Sequence, residues 1–447
     1  MAFIGVKGTH DIFADEADVY FYIQNVFRAI CELYGYREIQ TPILEYTDVF
    51  DRSTGESSDV VRKEMYTFLD KGNRSVTMRP EGTAGVMRSI VENKLYVNND
   101  LPLKTFYFGP VFRYERPQLG RYRQFYQAGV EAVGVDSARL DAECICMSMQ
   151  ILSYLGFKNL KLKLNTLGDF ESRNKYKEAL KEYFGARIDS MCDDCKERLK
   201  LNPMRILDCK VPSDQELVKD APKMSDFLSL ESSQRFGLTL SIINQMGIDY
   251  EVDDSLVRGL DYYGEVVFEV HAISDTGKDY GALLGGGHYD GLLTAFNGPK
   301  DIDHGVGFAL GIERIYSLMK DNNLISDDLV SSLDIYMMPL GEEVMNDVFE
   351  LTQNIRMLGY SVEMPFVPSK KIATYFKKAE KHNAKFALIL GSNELEKGVV
   401  QIKNLKTQEQ IEASLEDLDV TLDKLFNEGK EHEHCHDENC ECHHHEE

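Results

Sequence analysis

No run of eighteen or more apolar residues occurs in the chain, so a membrane-spanning helix is not expected. The N-terminus, MAFIGVKGTHDIF, lacks the positively charged segment and long apolar stretch of a secretory signal. A soluble, cytoplasmic protein is the resulting expectation. Cysteine is sparse, and nine residues at odd spacing in a chain of 447 fit reduced thiols better than a disulfide framework. The phosphate-cradling run Gly-x-x-x-x-Gly-Lys-Ser/Thr is missing, so a P-loop ATPase is not supported. Positive charge is also short. With 50 Lys and Arg against 74 Asp and Glu, the net charge of −24 opposes a polyanion, and any nucleic-acid contact must be made by patches. Arg113 to Arg123 and Lys370 to Lys385 are the two basic clusters. At 43% hydrophobic residues the chain can bury more than one core, and more than one domain is expected.

What is present is organised around Leu103 to Gly134, LKTFYFGPVFRYERPQLGRYRQFYQAGVEAVG. Phe106 to Glu115 is rich in aromatic and β-branched residues, Pro117 and Gly120 mark a loop, and Phe125 to Val133 resumes the strand pattern, which predicts a hairpin. Arg113 and Glu115 lie two apart and are expected on one strand face, with Arg121 and Phe125 across the turn. Such a face can hold a nucleotide: a guanidinium forks onto phosphate, a ring stacks on a purine, and a carboxylate accepts from an exocyclic amine. Solvated arginines on an edge hairpin would fit the arginines taken alone equally well.

Other stretches supply further candidates. Asp15 to Tyr34 has apolar residues at helical spacing closed by Gly35, and YGYREIQTPILEY reads as a strand ending near Pro42. Thr77-Met-Arg-Pro-Glu-Gly-Thr83 precedes a predicted helix from Ala84 to Val91, so Glu81 and Thr83 fall at a strand-to-helix junction, as helix caps or as holders of a substrate ammonium. Glu131 follows Gln127 by four residues on a strand and shares its face. Leu140 to Leu155 is a further helix stopped by Gly156, and VVFEV after Leu256-Val-Arg-Gly-Leu-Asp-Tyr-Tyr263 is a strand. Gly285-Gly-Gly287 and Gly305-Val-Gly-Phe-Ala-Leu-Gly-Ile-Glu-Arg314 suggest strand-to-helix turns with close backbone approach to a ligand, and Arg314 on a first helical turn can hold a terminal phosphate.

From Leu167 to Gln234 the character becomes charged and helical. Within it Cys192, Cys195 and Cys209 could ligate zinc, yet no fourth Cys or His lies nearby, so unligated cysteines are expected. After Ser332 the pattern alternates: strand Asp334 to Met338, helix Glu343 to Leu358, strand Tyr360 to Met364, helix Lys370 to Lys381, then strands Phe386 to Leu390 and Val399 to Lys403. A compact α/β domain with a mixed sheet follows, whose Lys370, Lys371, Lys377 and Lys378 form a basic helix face. The last stretch, EHEHCHDENCECHHHEE, cannot form a core and is expected to be disordered; His432, His434, Cys435, His436, Cys440, Cys442, His443, His444 and His445 are candidate ligands for zinc, nickel or copper.

Phe-Arg-x-Glu, a loop, then Arg-x-x-x-Phe resembles motif 2 of class II aminoacyl-tRNA synthetases, and YGYREIQTPILEY and the stretch ending at Arg314 resemble motifs 1 and 3. Arg113-Tyr-Glu-Arg-Pro117, Gly120-Arg-Tyr-Arg-Gln-Phe125 and above all Leu256 to Tyr263 resemble the histidyl-tRNA synthetase family, from about Lys7 to about residue 415. The resemblance implies an α+β catalytic domain, an antiparallel sheet flanked by helices, over residues 1–325 with a helical insertion near 168–235. It further implies an anticodon-binding-like α/β domain over 331–425, with the tail at 431–447 outside it. It implies a homodimer, ATP with Mg2+, L-histidine and tRNA(His) as partners, and histidine ligation to tRNA through a histidyl-adenylate. Arg113 would hold the α-phosphate, Glu115 and Phe125 the adenine, and Arg121 and Arg314 the distal phosphates. Glu81, Thr83 and Gln127 would take the α-amino end of histidine, and Glu131 with Tyr262 and Tyr263 the imidazole. Arg258 would also contact the bound histidine and be the second cation on the reacting phosphate, with Arg113 the first, and Arg116 and Gln118 would meet the tRNA acceptor end.

The chain departs from the pattern at Gly264, where Asn or Thr is usual, at Val266, where Thr is usual, and at His288, which stands in place of arginine. Lys223-Met-Ser echoes a class I signature, but its His-x-Gly-His partner is missing. The alternative reading is a non-catalytic, histidine-sensing paralogue resembling the regulatory subunit of ATP phosphoribosyltransferase. Arg113, Arg258 and Arg314 and the C-terminal domain weigh against it.

Overall fold

A computed structural model describes residues 3–54, 58, 60–117 and 120–427, in two compact units, Met1–Leu329 and Val330–Glu447. Gln118 and the candidate ligands of the tail lie outside the described residues.

The first unit is built on an eight-stranded sheet. Leu103–Phe112 and Gln124–Val133 form its hairpin, with Phe112 opposite Gln124 and Leu103 opposite Val133. His304–Gly311, Asp279–Asp290, Tyr263–Ile273 and Leu160–Thr166 follow, each antiparallel to its neighbour. Arg37–Glu38 and Tyr250–Val252 add parallel edges, so the sheet is mixed.

Alternation of side chains divides the two faces of this sheet by chemistry. Ala128, Val130 and Ala132 point to a core shared with Phe268, Phe308 and the helices Asp15–Leu33, Ala138–Tyr154 and Ile312–Asp321. The helix Asp15–Leu33 buries Val19, Ile23, Phe27 and Ile30 at the spacing that its sequence announces. The other face carries Gln127, Gly129 and Glu131, opposite Gly311, Ala309 and Gly307 of the next strand. A three-stranded antiparallel sheet, Leu44–Tyr46, Ser75–Met78 and Tyr66–Leu69, leads into the helix Thr83–Glu92. Helices Phe170–Gly185, Asp193–Leu201, Pro212–Lys219 and Leu230–Gln245 occupy the charged region after Leu167.

The second unit has a five-stranded mixed sheet in the order Val362–Glu363, Ile335–Leu340, Phe386–Gly391, Val399–Asn404, Gln410–Ser414. Met345–Met357 and Ile372–Lys381 are its predicted helices; Lys370 and Lys371 precede the second rather than forming part of it. The strand Gln410–Ser414 and the helices Ser392–Lys397 and Leu418–Asn427 had no counterpart in the sequence reading.

Two expectations are corrected here. The first hairpin strand ends at Phe112, so Arg113 and Glu115 are not strand neighbours on one face. The Glu115 amide donates to the Arg113 carbonyl at 2.8 Å, a tight turn that breaks the ladder before the loop. Gly285, Gly286 and Gly287 lie inside the strand Asp279–Asp290, not at a turn to a helix. Glycine is tolerated there because the facing residues need the room: a Cβ on Gly286 would stand 2.2 Å from the Gly307 carbonyl oxygen.

Candidate active site

Glu131 is the centre of the polar face. It is 2% exposed, and Gly307 across the ladder leaves the space for it, since a Cβ there would lie 2.2 Å from Oε2. The Thr83 hydroxyl donates to Oε1 at 2.6 Å and the Tyr289 hydroxyl to Oε2 at 2.7 Å, with the Tyr107 hydroxyl at 3.5 Å from Oε1. Burial outweighs these donors and pushes the carboxyl up to about 8. Tyr289 was not singled out from the sequence, where it is masked by its glycine-rich surroundings. Its ring, with those of Tyr262 and Tyr263, lines one wall: Tyr262 is 4.5 Å from Tyr263 and 5.8 Å from Tyr289 between centroids.

Glu81 sits at the start of the helix Thr83–Glu92, where its carboxylate accepts from the Thr83 amide at 2.6 Å and the Ala84 amide at 2.9 Å. It caps the helix, and burial raises its pKa despite these bonds. Each carboxylate oxygen retains a second lone pair for a ligand. The Gln127 side-chain amide oxygen is buried with no partner among the described residues, two strand repeats from Glu131. A buried acceptor without a donor is costly unless a ligand supplies one.

Arginines gather at the loop end of the same face. Arg113 donates Nε to the Pro80 carbonyl at 2.8 Å, and its guanidinium lies 5.3 Å from the Phe125 ring. Glu115 takes Arg121 at 3.4 Å and stands 4.0 Å from Arg113. Arg314, on the first turn of Ile312–Asp321, donates Nη1 to the Ala282 carbonyl at 2.5 Å and Nε to that of Gly120 at 3.4 Å. Burial and then the nearby Arg121 lower its pKa, so the pocket would welcome an anion. Arg116 is exposed in the loop.

Arg258 pairs with Glu269. Glu269 also meets His271 Nε2 at 2.8 Å. The guanidinium lies above Gly285, where a Cβ would stand 2.3 Å from Nη1, and 5.6 Å from the Tyr263 ring. Its Nε is buried without a partner among the described residues. Glu269 and Tyr289 were invisible to sequence reasoning because their positions depend on strand register.

A family model described as Histidyl-tRNA synthetase matches residues 8–315, about two thirds of the chain, and one described as Anticodon binding domain matches 334–425. The chain belongs to the histidyl-tRNA synthetase family. It is 44% identical over 418 residues to a protein of Bacillus licheniformis named Histidine--tRNA ligase, covering 93% of this chain and 97% of that one. The crystal structure of apo Staphylococcus aureus histidyl-tRNA synthetase is similar at 37% identity and a TM-score of 0.79, covering 94% of this chain and 100% of that one. A Bacillus halodurans structure titled ATP phosphoribosyltransferase regulatory subunit/histidyl-tRNA synthetase shares the fold at 20% identity and a TM-score of 0.60, with coverage of 87% and 98%. The architecture is that of a class II synthetase-like catalytic domain followed by an anticodon-binding domain.

The departures from the synthetase pattern have physical explanations. A Cβ on Gly264 would lie 2.1 Å from Arg173 Nη1, so a half-buried arginine from the helix Phe170–Gly185 fills the place of the usual Asn or Thr side chain. Val266 joins the apolar core on the opposite face. His288, 1% exposed, meets Asp141 at 3.0 Å and Asp290 at 3.2 Å, with Arg235 3.1 Å from Nδ1. Burial alone would lower its pKa, but Asp141 and then Asp290 outweigh that and hold it up at about 9, so the imidazole keeps the positive charge of the usual arginine.

A pH prediction follows from His288. Between its ordinary 6.5 and about 9 the folded chain holds a proton that the unfolded chain has lost. The stabilisation is therefore complete below the lower value and is lost as pH rises through the upper one. Thermal unfolding of the parent should weaken more steeply over that window than unfolding of His288→Gln. Parallel curves for the two chains would show that the imidazole is neutral.

Proposed function

We propose that the chain is a class II histidine–tRNA ligase, joining histidine to tRNA in an ATP-dependent reaction. The observation that carries the reading is one sheet face with two chemical ends: a buried acceptor, Glu131, fed by tyrosine and threonine hydroxyls, and a cluster of Arg113, Arg121 and Arg314. Gln127, with its side-chain amide oxygen unpartnered among the described residues, lies between them.

In this reading the imidazole N–H donates to Glu131, Tyr262 and Tyr263 enclose the ring, and Glu81, Thr83 and Gln127 take the ammonium. Phe125 stacks on adenine with the face not covered by Arg113, and Glu115 accepts from the adenine amine. Arg113 forks onto the α-phosphate, while Arg121 and Arg314 take the distal phosphates. A histidine carboxylate oxygen then attacks the α-phosphorus, the bond to the β-phosphate oxygen breaks, and pyrophosphate leaves. The terminal adenosine hydroxyl of tRNA attacks the resulting acyl carbonyl and AMP departs. Magnesium arriving with ATP would neutralise phosphate charge, and Glu269, a carboxylate close enough to act on Arg314, is the residue suited to hold it.

Arg116 and Gln118 are assigned to the acceptor end of the RNA. In the second unit, Phe376, Phe426, Lys385 and Lys403 line a groove where each lysine faces a ring, Lys403 at 5.0 Å from Phe376 and Lys385 at 5.6 Å from Phe426. Aromatic rings beside cations suit splayed anticodon bases. The exposed Leu44, Tyr46, Phe68 and Leu69 of the three-stranded sheet support homodimerisation through that surface. ATP and tRNA as substrates favour a cytoplasmic location.

One preparation tests the whole reading. Histidine-dependent ATP–pyrophosphate exchange, transfer of histidine to tRNA and a dimeric sedimentation mass are expected. Histidine binding without exchange would favour the regulatory paralogue, exchange without transfer would remove the RNA assignments, and a monomer would remove the homodimer.

A further inference from the structure

The helical region after Leu167 holds a cluster that the reaction does not use. The Sγ atoms of Cys192, Cys195 and Cys209 and a carboxylate oxygen of Asp214 all lie within 4.8 Å of one another. Counting only Cys and His leaves this set one donor short, and the fold supplies the fourth from a carboxylate five residues beyond Cys209. We propose that these four residues form a structural zinc site.

The spacing fits the ion. Tetrahedral zinc with Zn–S near 2.3 Å and Zn–O near 2.0 Å puts ligand sulfurs about 3.8 Å apart and sulfur and oxygen about 3.5 Å apart. Cys192 and Cys209 sulfurs stand at 3.9 Å, and Cys209 Sγ is 3.5 Å from Asp214 Oδ2. Backbone amides already serve the donor atoms, as they do around bound thiolates: Cys195 N donates to Cys192 Sγ at 3.4 Å, Val211 N to Cys209 Sγ at 3.5 Å, and Cys192 N to Asp214 Oδ2 at 3.1 Å.

Two further features favour a cation. Asp214 is fully buried, its other partner is the Ser213 hydroxyl at 3.2 Å, and no described Lys, Arg or His forms an ion pair with it. A buried carboxylate without a counter-charge is expensive. The local helices are also thinly anchored: Asp193–Leu201 fully buries Cys195 and lays the partly buried Leu199 on the core, and Pro212–Lys219 fully buries Asp214 and lays the partly buried Leu217 and Val218 there. Helices of nine and eight residues are marginal alone, and here each is fixed through a residue of this cluster.

The site also has a route to the chemistry. Between Cys195 and Cys209, Asn202 donates to Asp261 at 3.0 Å and Arg205 to the Gly259 carbonyl at 2.7 Å, so the segment held by the ion braces the loop that carries Arg258. Zinc therefore sets the position of that loop without touching substrate.

The test uses the full chain with Cys435, Cys440 and Cys442 changed to serine and His432, His434, His436, His443, His444 and His445 changed to asparagine in every sample, so that the tail contributes no ligand. After dialysis against a moderate chelator, metal analysis should find about one zinc per chain, falling to near zero in Cys209→Ser and Asp214→Ala. A strong chelator should lower the melting temperature of the parent, zinc should restore it, and Cys209→Ser should respond to neither. Should the variants fail to fold, cobalt exchanged into the parent must give tetrahedral bands with strong thiolate charge transfer. Equal zinc in parent and variants, a Cys192–Cys209 disulfide in metal-free native protein, or a cobalt spectrum without thiolate bands would overturn the proposal.

Discussion

Arg258→Lys should slow histidyl-adenylate formation by roughly a hundredfold or more, the scale of losing one transition-state donor, while leaving melting temperature and histidine affinity nearly unchanged. Attack on the α-phosphorus builds negative charge on the phosphoryl oxygens. Arg113, tied through Nε to the Pro80 carbonyl, can approach that centre from one side, so a second fixed cation is needed opposite it. Arg258 has the required attributes. It rests on the bare backbone of Gly285, keeps a buried Nε without a partner among the described residues, and is oriented by Glu269, which His271 holds in turn. The competing account is a purely structural pair between Arg258 and Glu269. Lysine separates the two accounts, because a point charge can still pair with Glu269 but cannot fork onto phosphate. A single-turnover adenylation rate within a few-fold of the parent would assign Arg258 to structure alone.

The sequence made the architecture legible where periodicity carries it. Val19, Ile23, Phe27 and Ile30 announce a helix, and Phe125 to Val133 announces a strand whose alternate residues, Gln127 and Glu131, reach one face. What stayed hidden depends on register. Gly285 to Gly287 read as a turn because glycine weakens strands, and their purpose becomes visible only when Arg258 and the backbone around Gly307 are seen to fill the missing side-chain space. Tyr289 reaches Glu131 from 158 positions away, and Arg173 reaches the strand residue Gly264 from the helix Phe170–Gly185. Asp214 was missed for a chemical reason, since a lone carboxylate among many surface acids gives no signal until its burial is known.

Glu131→Gln carries the second large expectation: measured above about pH 8, where Glu131 is ionised, loss of histidine affinity by roughly ten- to a hundredfold, equivalent to the 1.5 to 3 kcal/mol of a hydrogen bond to a charged group, with ATP affinity unchanged. Both oxygens of Glu131 are already surrounded by donors, Thr83 on one and Tyr289 on the other, and an imidazole N–H would add another. A carboxylate accepts from all three; an amide presents NH2 at one end and meets a donor with a donor. In the empty pocket the Thr83 or Tyr289 hydroxyl can turn to accept from that NH2, which an imidazole N–H cannot do, so folding should not suffer. The folded chain keeps the Glu131 proton up to about 8, whereas the unfolded chain releases it near 4.5, so ionising this group lowers stability as pH rises between those values. Glutamine removes that penalty, and the variant should melt at or above the parent at pH 8. The ATP end is spared because Arg113, Arg121, Arg314 and Phe125 share no bond with Glu131. Isothermal titration with histidine and, separately, with ATP decides the matter: equal losses for both ligands would show that Glu131 supports the pocket as a whole and does not read the imidazole.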